Sequence, residues 1–176
     1  MAKDEYARVL EYLPYGLQDS KERHPTVIIL TDSLGLLAAA LKKGASVEAG
    51  RKVYIGENKR EEIHHIIGRI TPDKLGVSAM QNLRDQISEN VKANESKYVG
   101  MINTLGPINV RLHALELIPG LGKKTTQKIL DERKMKPFTS YGDIDLRIQL
   151  PLSIEKEIEE RILEEMQNKD KYKIFT

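Results

Sequence analysis

The chain has 176 residues, a length that corresponds to one or two compact domains. Hydrophobic residues make up 40% of it and charged residues 31%, a composition that excludes a wholly disordered protein. It contains no cysteine, so disulfides, thiolate zinc sites and cysteine nucleophiles are excluded. No apolar run reaches the roughly 20 residues of a membrane span. The start is acidic where a secretory signal would be apolar, so we expect a cytoplasmic protein with no membrane partner.

Positive charge is concentrated in one part of the chain. The formal net charge is only +2, from 28 basic and 26 acidic residues. Residues 111–152 contain 8 basic and 5 acidic residues, a local excess of +3. The overall charge therefore does not by itself indicate nucleic acid, but its distribution directs attention to this stretch.

The first 75 residues are predicted to form a small β-barrel. Short β-branched runs bounded by proline, glycine or aspartate predict strands at residues 27–31, 53–55 and 66–70, and residues 6–13 are a candidate fourth strand. Residues 34–41 fit either a helix, because they are rich in leucine and alanine, or a short barrel strand. Residues 58–65 are polar and predict a helix capped by Asn58. Several short strands and one helix before the last strand are typical of a small barrel.

The spacing of apolar residues changes to a helical period at about Val77. Apolar residues then recur every three or four positions through Val91, as they do on one face of an amphipathic helix. Further helices are predicted, in chain order, at residues 98–105, 110–118, 123–134 and 142–148, and from residue 154 onward. We therefore place a domain boundary between residues 75 and 76 and expect residues 76–176 to be all-α.

The most informative segment is a bend between two predicted helices, with glycine at alternate positions. Pro119 ends the first helix because it lacks an N–H and clashes with the preceding turn. Gly120 and Gly122 permit crowded or left-handed dihedrals and keep side chains off the outer surface of the turn. The amides of residues 123–125 begin the next helix without partners. At the positive end of the helix dipole they suit a phosphate group.

These residues resemble the helix-hairpin-helix motif, whose usual form is aliphatic-Pro-Gly-aliphatic-Gly-x-Lys followed by a second helix. In this chain the motif occupies residues 111–134. The hairpin amides of that family bind backbone phosphates of DNA or RNA without reading bases. The resemblance predicts a nucleic-acid-binding site made of Gly120, Leu121, Gly122, Lys123, Lys124 and Thr125, with Lys128 and Arg111 as supporting cations.

A second hairpin is predicted at residues 140–168, because such motifs usually occur in pairs. Its turn, Gln149-Leu150-Pro151-Leu152, contains no glycine. It would expose side chains where the first turn exposes amides. We therefore expect this degenerate hairpin to keep the fold, and we do not assign phosphate binding to it.

The chain as a whole resembles an uncharacterised family of small, mainly archaeal proteins. The residues that carry this resemblance are 111–124, Pro137-Phe138 and Val53-Tyr54-Ile55-Gly56. The resemblance implies an α+β multidomain fold, with an N-terminal OB-like β-barrel at residues 1–75 and a C-terminal all-α tandem helix-hairpin-helix domain at 76–176. It also implies nucleic-acid binding, and OB-like barrels commonly use one sheet face for single strands.

Two other classes of function stay open alongside sequence-tolerant nucleic-acid binding. The chain could be a DNA-processing enzyme that uses the hairpin as a handle, or a protein-interaction scaffold. No catalytic set, metal site or cofactor motif is evident, and the spacing of Asp143 and Asp145 fits helix capping better than a magnesium-binding pair. The sequence leaves open DNA or RNA, single or double strand, and the oligomeric state.

Overall fold

The computed structural model describes residues 4–18 and 23–176. Five strands form a curled antiparallel sheet, a half-barrel in which the strand order is β4-β1-β2-β3-β5. The strands are β1 (Tyr6–Leu13), β2 (Thr26–Thr31), β3 (Leu36–Leu41), β4 (Lys52–Tyr54) and β5 (Ile63–Arg69). Within the described residues, the edge strands β4 and β5 are not paired with each other.

The core of the sheet lies under its middle strands. β2 is buried along its whole length and β3 is buried except at Leu37, so both faces of these strands are covered. Such strands read as continuous apolar runs rather than as an alternation of polar and apolar residues. The core cluster is built from Ala7, Val9, Val27, Ile29, Ala39, Leu41, Val47, Val53, Ile55 and Ile63.

The ambiguous segment at residues 34–41 is a strand in its second part. Leu34 has a left-handed backbone (φ 66°) in the turn after β2, and its N–H donates to the Thr31 carbonyl at 2.9 Å. β3 then pairs with β2 on one side and β5 on the other. Leucine and alanine favour helix locally, but two flanking strands supply ladder hydrogen bonds and burial that override this preference.

The helix predicted at residues 58–65 is wrong. Residues 57–62 are irregular and β5 begins at Ile63, which is buried in the core and pairs with Leu41. The preceding loop is held by Arg60, whose Nε donates to the Gly56 carbonyl at 2.8 Å. The polar run therefore serves as a loop because the burial of Ile63 sets the register of the strand that follows.

Five α-helices and a short hairpin follow in the described residues. The helices are α1 (Val77–Ala93), α2 (Glu95–Thr104), α3 (Lys123–Met135), α4 (Tyr141–Ile148) and α5 (Ile154–Met166). The hairpin consists of β6 (Pro107–Asn109) and β7 (Leu112–His113), and a 3-10 helix, Ala114–Leu117, comes directly after it. None of these helices is long and apolar enough to cross a bilayer.

The helix predicted at residues 110–118 is wrong, and the region after residue 76 is not all-α. The Asn109 side chain accepts the Arg111 N–H at 2.8 Å, which makes the turn between β6 and β7. His113 Nδ1 accepts the Leu115 N–H at 3.1 Å, while the Glu116 carboxylate accepts the His113 N–H at 3.0 Å. Such local side-chain bonds offer the backbone an alternative to helix.

The chain divides into two compact units. One contains the described residues up to Gln86 together with Met166–Asn168 and Thr176, and the other contains Ile87–Glu165 and Lys169–Phe175. The division falls within α1. In the first unit, the Asn82 side chain in the N-terminal half of α1 donates to the Leu10 carbonyl of β1 at 2.9 Å, which ties this half of the helix to the sheet.

Candidate functional site

The predicted site lies in the second unit, at a bend that we call the glycine bend (residues 118–123). Gly120 has φ 75°, a left-handed conformation that glycine adopts without strain. Leu121 is 1% exposed, and its N–H donates to the Ile118 carbonyl at 3.1 Å, so this leucine points inward and closes the turn. Gly122, in an extended conformation, is the residue at which α3 begins.

The start of α3 presents free backbone donors. The first α3 amide to find a partner is that of Thr126, which donates to the Gly122 carbonyl at 2.8 Å. In the part of the chain that the structure describes, the four amides of residues 122–125 have no acceptor. Residues 122–124 are also exposed. Four unpaired donors therefore lie at the positive end of a 13-residue helix, an arrangement that suits an anion.

The corresponding start of α5 does not offer such donors. There the Asp145 carboxylate accepts the Ile154 N–H at 2.7 Å, and Ser153 Oγ accepts the Lys156 N–H at 3.4 Å. The turn before it contains Gln149, which has φ 61°, and the exposed Leu152. The second turn thus exposes side chains, as its lack of glycine predicts, and its helix is capped from within the protein.

The four predicted cations have different surroundings and partners in the structure. Lys123 and Lys124 are exposed beside the free amides, and neither forms an ion pair with a described residue. Lys128 Nζ donates to the Ile148 carbonyl at the end of α4, at 2.8 Å, so this ammonium supports a helix C-terminus. Arg111 is exposed in the turn between β6 and β7, and its role as a supporting cation stays a prediction.

Some of the basic side chains in residues 111–152 form hydrogen bonds or ion pairs within the protein. Arg133 donates to the Ile102 and Leu105 carbonyls, at 2.8 and 2.9 Å, at the end of α2. Arg147 forms ion pairs with Glu132 and Asp143, at 3.1 and 3.3 Å. The local charge that the sequence displays is therefore larger than the charge left free for a partner.

Asp143 and Asp145 both act as structural hydrogen-bond acceptors. Asp143 accepts the Thr139 N–H at 3.1 Å, and this bond together with Arg147 lowers the pKa of its carboxyl group. Asp145 caps α5 through Ile154, as described above. Among the described residues, no group of three or more potential metal-ligating side chains comes together.

Sequence reasoning missed one residue at the glycine bend, Glu157 of α5. Its side chain lies against Gly120, with Oε1 2.5 Å from the point where a Cβ of Gly120 would stand. It is 6% exposed, and burial, followed by the charge of Glu160, raises the pKa of its carboxyl group. In the sequence, Glu157 is one acid in an acidic helix that predicts a solvated face, and only the packing of α5 on the bend distinguishes it.

The middle strands β2 and β3 offer no exposed surface for stacking bases, whereas the edge strand β5 is largely exposed. β2 and β3 are covered on both faces, so their strands present no open platform. A half-exposed pair lies instead where β1 meets β4, where the rings of Tyr6 and Tyr54 make an edge-to-face contact at 5.3 Å. The Tyr54 ring lies against Gly56, so closely that a Cβ there would collide with it. This contact explains why a glycine stands at the end of Val53-Tyr54-Ile55-Gly56, one of the segments that carry the family resemblance.

Comparison with known proteins identifies the family of this chain. A family described as "Protein of unknown function (DUF655)" matches residues 3–176. The chain belongs to DUF655. Its DUF655 relatives include the uncharacterized protein MJ0038 of Methanocaldococcus jannaschii, which is 39% identical over 98% of this chain and 79% of its own length. The expectation of an uncharacterised family with archaeal members is therefore confirmed.

A solved DUF655 structure has the same fold. The crystal structure of Af1531 from Archaeoglobus fulgidus matches with a TM-score of 0.82 and 36% sequence identity, over 98% of this chain and 99% of that one. The curled sheet followed by helices is thus the architecture of a DUF655 protein as well as of this chain.

Proposed function

We propose that this protein binds the backbone of DNA or RNA without reading sequence, by seating a phosphate group on the glycine bend. The observation that carries the proposal is the contrast between two helix starts. α3 begins with four free amides and two exposed lysines, whereas α5 begins with amides bonded to Asp145 and Ser153. A helix start left uncapped, turned to solvent and flanked by cations has the properties of a phosphate site.

The motif resemblance supports the same conclusion. We interpret the glycine bend and α3 as a helix-hairpin-helix, and the curled sheet as an OB-like barrel that is open on one side. The element before the bend is the 3-10 helix Ala114–Leu117, which is shorter than the usual first helix of that motif. The part that would contact phosphate, however, is the turn and the start of α3, where the sequence matches closely.

The proposed contact is a weak one by itself. Hydrogen bonds to backbone phosphates position a protein on nucleic acid and carry no base information. Non-specific contacts of this kind have dissociation constants of roughly 10⁻⁴ to 10⁻⁶ M. An enzymatic role has less support, because Asp143 and Asp145 are already committed to Thr139, Arg147 and Ile154.

A charge-reversal variant tests the proposal. Changing Lys123→Glu together with Lys124→Glu places two negative charges beside the free amides and should weaken binding at least tenfold. The measurement is fluorescence anisotropy with labelled duplex DNA, single-stranded DNA and RNA, at several salt concentrations. Wild-type affinity in this variant would overturn the site assignment.

Lys43→Glu with Lys59→Glu provides the matched control. Both lysines are exposed residues of the first unit, and the two changes alter the net charge by the same amount. We expect this control to bind within about twofold of the wild type, because neither lysine belongs to the glycine bend or to α3. An equal loss in both variants would indicate a general charge effect instead of a site.

A further inference from the structure

Glu157 is a largely buried acid whose carboxyl group packs against the glycine bend. Its Cδ and both oxygens lie within 3.4 Å of the position that a Cβ of Gly120 would take. No described residue forms a hydrogen bond or an ion pair with its carboxylate, whose oxygens keep some contact with solvent. The space that the glycine leaves by lacking a side chain is thus filled by a carboxyl group from another helix.

Glu165, another buried glutamate of α5, has the hydrogen-bond and ion-pair partners that a buried carboxylate usually has. Glu165 forms an ion pair with Arg161 at 2.9 Å and accepts the N–H groups of Ile174 and Phe175, at 2.8 and 3.0 Å. Buried carboxylates ordinarily have such partners, because removing an unpaired charge from water is costly. Glu157 has no such protein partner, and it lies against Gly120, two residues before the first of the free amides.

The charged groups around Glu157 allow it to respond to a bound anion. On its own helix, Glu160 raises the pKa of the Glu157 carboxyl in addition to the effect of burial, while Lys156 is paired with Glu159 at 2.8 Å. On the bend and the start of α3, the charged residues are Lys123 and Lys124, which are exposed. A phosphate held between these lysines and the bend would favour the protonated form of Glu157.

We propose that Glu157 makes phosphate binding at the glycine bend depend on pH, so that the site binds its anion best when this carboxyl is protonated and releases it as the carboxyl ionises. This inference rests on the proposed function and adds its regulation. Binding raises the pKa of Glu157, and by linkage a higher proton concentration strengthens binding. The expected partner is therefore held more tightly under mildly acidic conditions.

The test compares binding at pH 5.0, 6.0 and 7.5, at constant ionic strength, with the labelled oligonucleotides used above. The wild type should bind roughly tenfold more tightly at pH 5.0 than at pH 7.5, the factor that corresponds to a shift of one pKa unit on binding. Glu157→Gln, which keeps the shape and removes the charge, should bind at pH 7.5 about as tightly as the wild type does at pH 5.0. Its affinity should change little with pH.

Glu155→Gln is the matched control, because Glu155 lies in the first turn of the same helix and is not fully buried. It should keep the pH dependence of the wild type, including any part that comes from the four histidines. A Glu157→Gln variant that keeps the wild-type pH dependence overturns this inference. If Lys123→Glu with Lys124→Glu still weakens binding, the proposed function survives that result. If no nucleic acid binds at any pH, both proposals fail.

A second measurement does not depend on whether the variant folds. The carboxyl carbon of Glu157 in the wild-type protein can be titrated by NMR with and without saturating inorganic phosphate. We expect the pKa of Glu157 to lie above the usual glutamate range in the free protein and to rise further with phosphate. A pKa that is unchanged by bound phosphate would overturn the inference.

Discussion

At the scale of single residues, the two glycines of the bend have different physical roles. Gly120 has φ 75°, and a side chain there would collide with the carboxyl group of Glu157. Gly122 has φ −69°, and nothing lies within 4 Å of the position its Cβ would take. The first glycine is thus required by the backbone and by packing, whereas the second leaves the approach to the free amides open.

Alanine substitutions should separate these roles. Gly120→Ala is expected to lower the free energy of unfolding by about 1–3 kcal/mol, because the residue must hold a left-handed conformation and displace Glu157. Gly122→Ala should cost about 1 kcal/mol or less, since alanine is only a poorer N-cap. Urea unfolding followed by circular dichroism measures both. Equal losses in the two variants would contradict this assignment of roles.

At the scale of elements, the last residues of the chain are held on α5 by a buried ion pair. Arg161 and Glu165 are 2% and 0% exposed, and Arg161 also donates to the Tyr172 carbonyl at 2.5 Å. Phe175 packs edge-to-face on Tyr98 at 5.5 Å, and burial, followed by the charge of Glu165, raises the pKa of Tyr98 to about 12. Phe175 is therefore part of the core of the second unit, and α5 holds the backbone of the segment that leads to it.

Removing one partner of this pair should detach the segment. Glu165→Gln removes the closest carboxylate of the buried Arg161, which keeps Asp170 at 3.2 Å, and is expected to cost about 3 kcal/mol. Trypsin should then cleave at Lys171 and Lys173 faster than in the wild type, which peptide mapping would detect. The control is Glu164→Gln, a more exposed partner 3.8 Å from Arg161, with an expected cost of about 1 kcal/mol or less. Unchanged cleavage in Glu165→Gln would contradict this anchoring.

Some helices and strands could be predicted from the sequence, and others could not. β2 and α1 were predictable because a β-branched run lies within the strand and a helical spacing lies within the helix. The segments 58–65 and 110–118 were not, because Ile63 is committed to the sheet and Asn109 and His113 bond to the backbone beside them. In both cases the deciding interaction competes with a local helix preference that is worth less than about 1 kcal/mol per residue.

At the scale of the whole molecule, the protein has little net charge with which to attract a polyanion. The sum is only +2, and Arg133 and Arg147 of the basic stretch are bonded internally. Binding through the glycine bend should therefore be local, with contact to one or two phosphates. A broad basic surface would behave differently, because it would neutralise many phosphates at once.

The salt dependence of binding measures this directly. With duplex DNA, a plot of log K against log salt should have a slope of about −1 to −2, since each neutralised phosphate contributes about −0.9. The Lys123→Glu with Lys124→Glu variant should flatten the slope by about one. A slope steeper than about −4 would mean that a much larger surface takes part and would contradict a single local site.

The sequence by itself determined the helices, strands and turns whose conformation depends on residues close together in the chain. Periodicity placed most helices and strands, and Pro119, Gly120 and Gly122 specified the bend and the uncapped start of α3, because their backbone constraints are local. Tertiary structure alone decided what meets that bend. It directed Lys128 to the Ile148 carbonyl and brought Glu157 onto Gly120 from a helix distant in sequence. Burial and charge at a site depend on such packing, which no local pattern encodes.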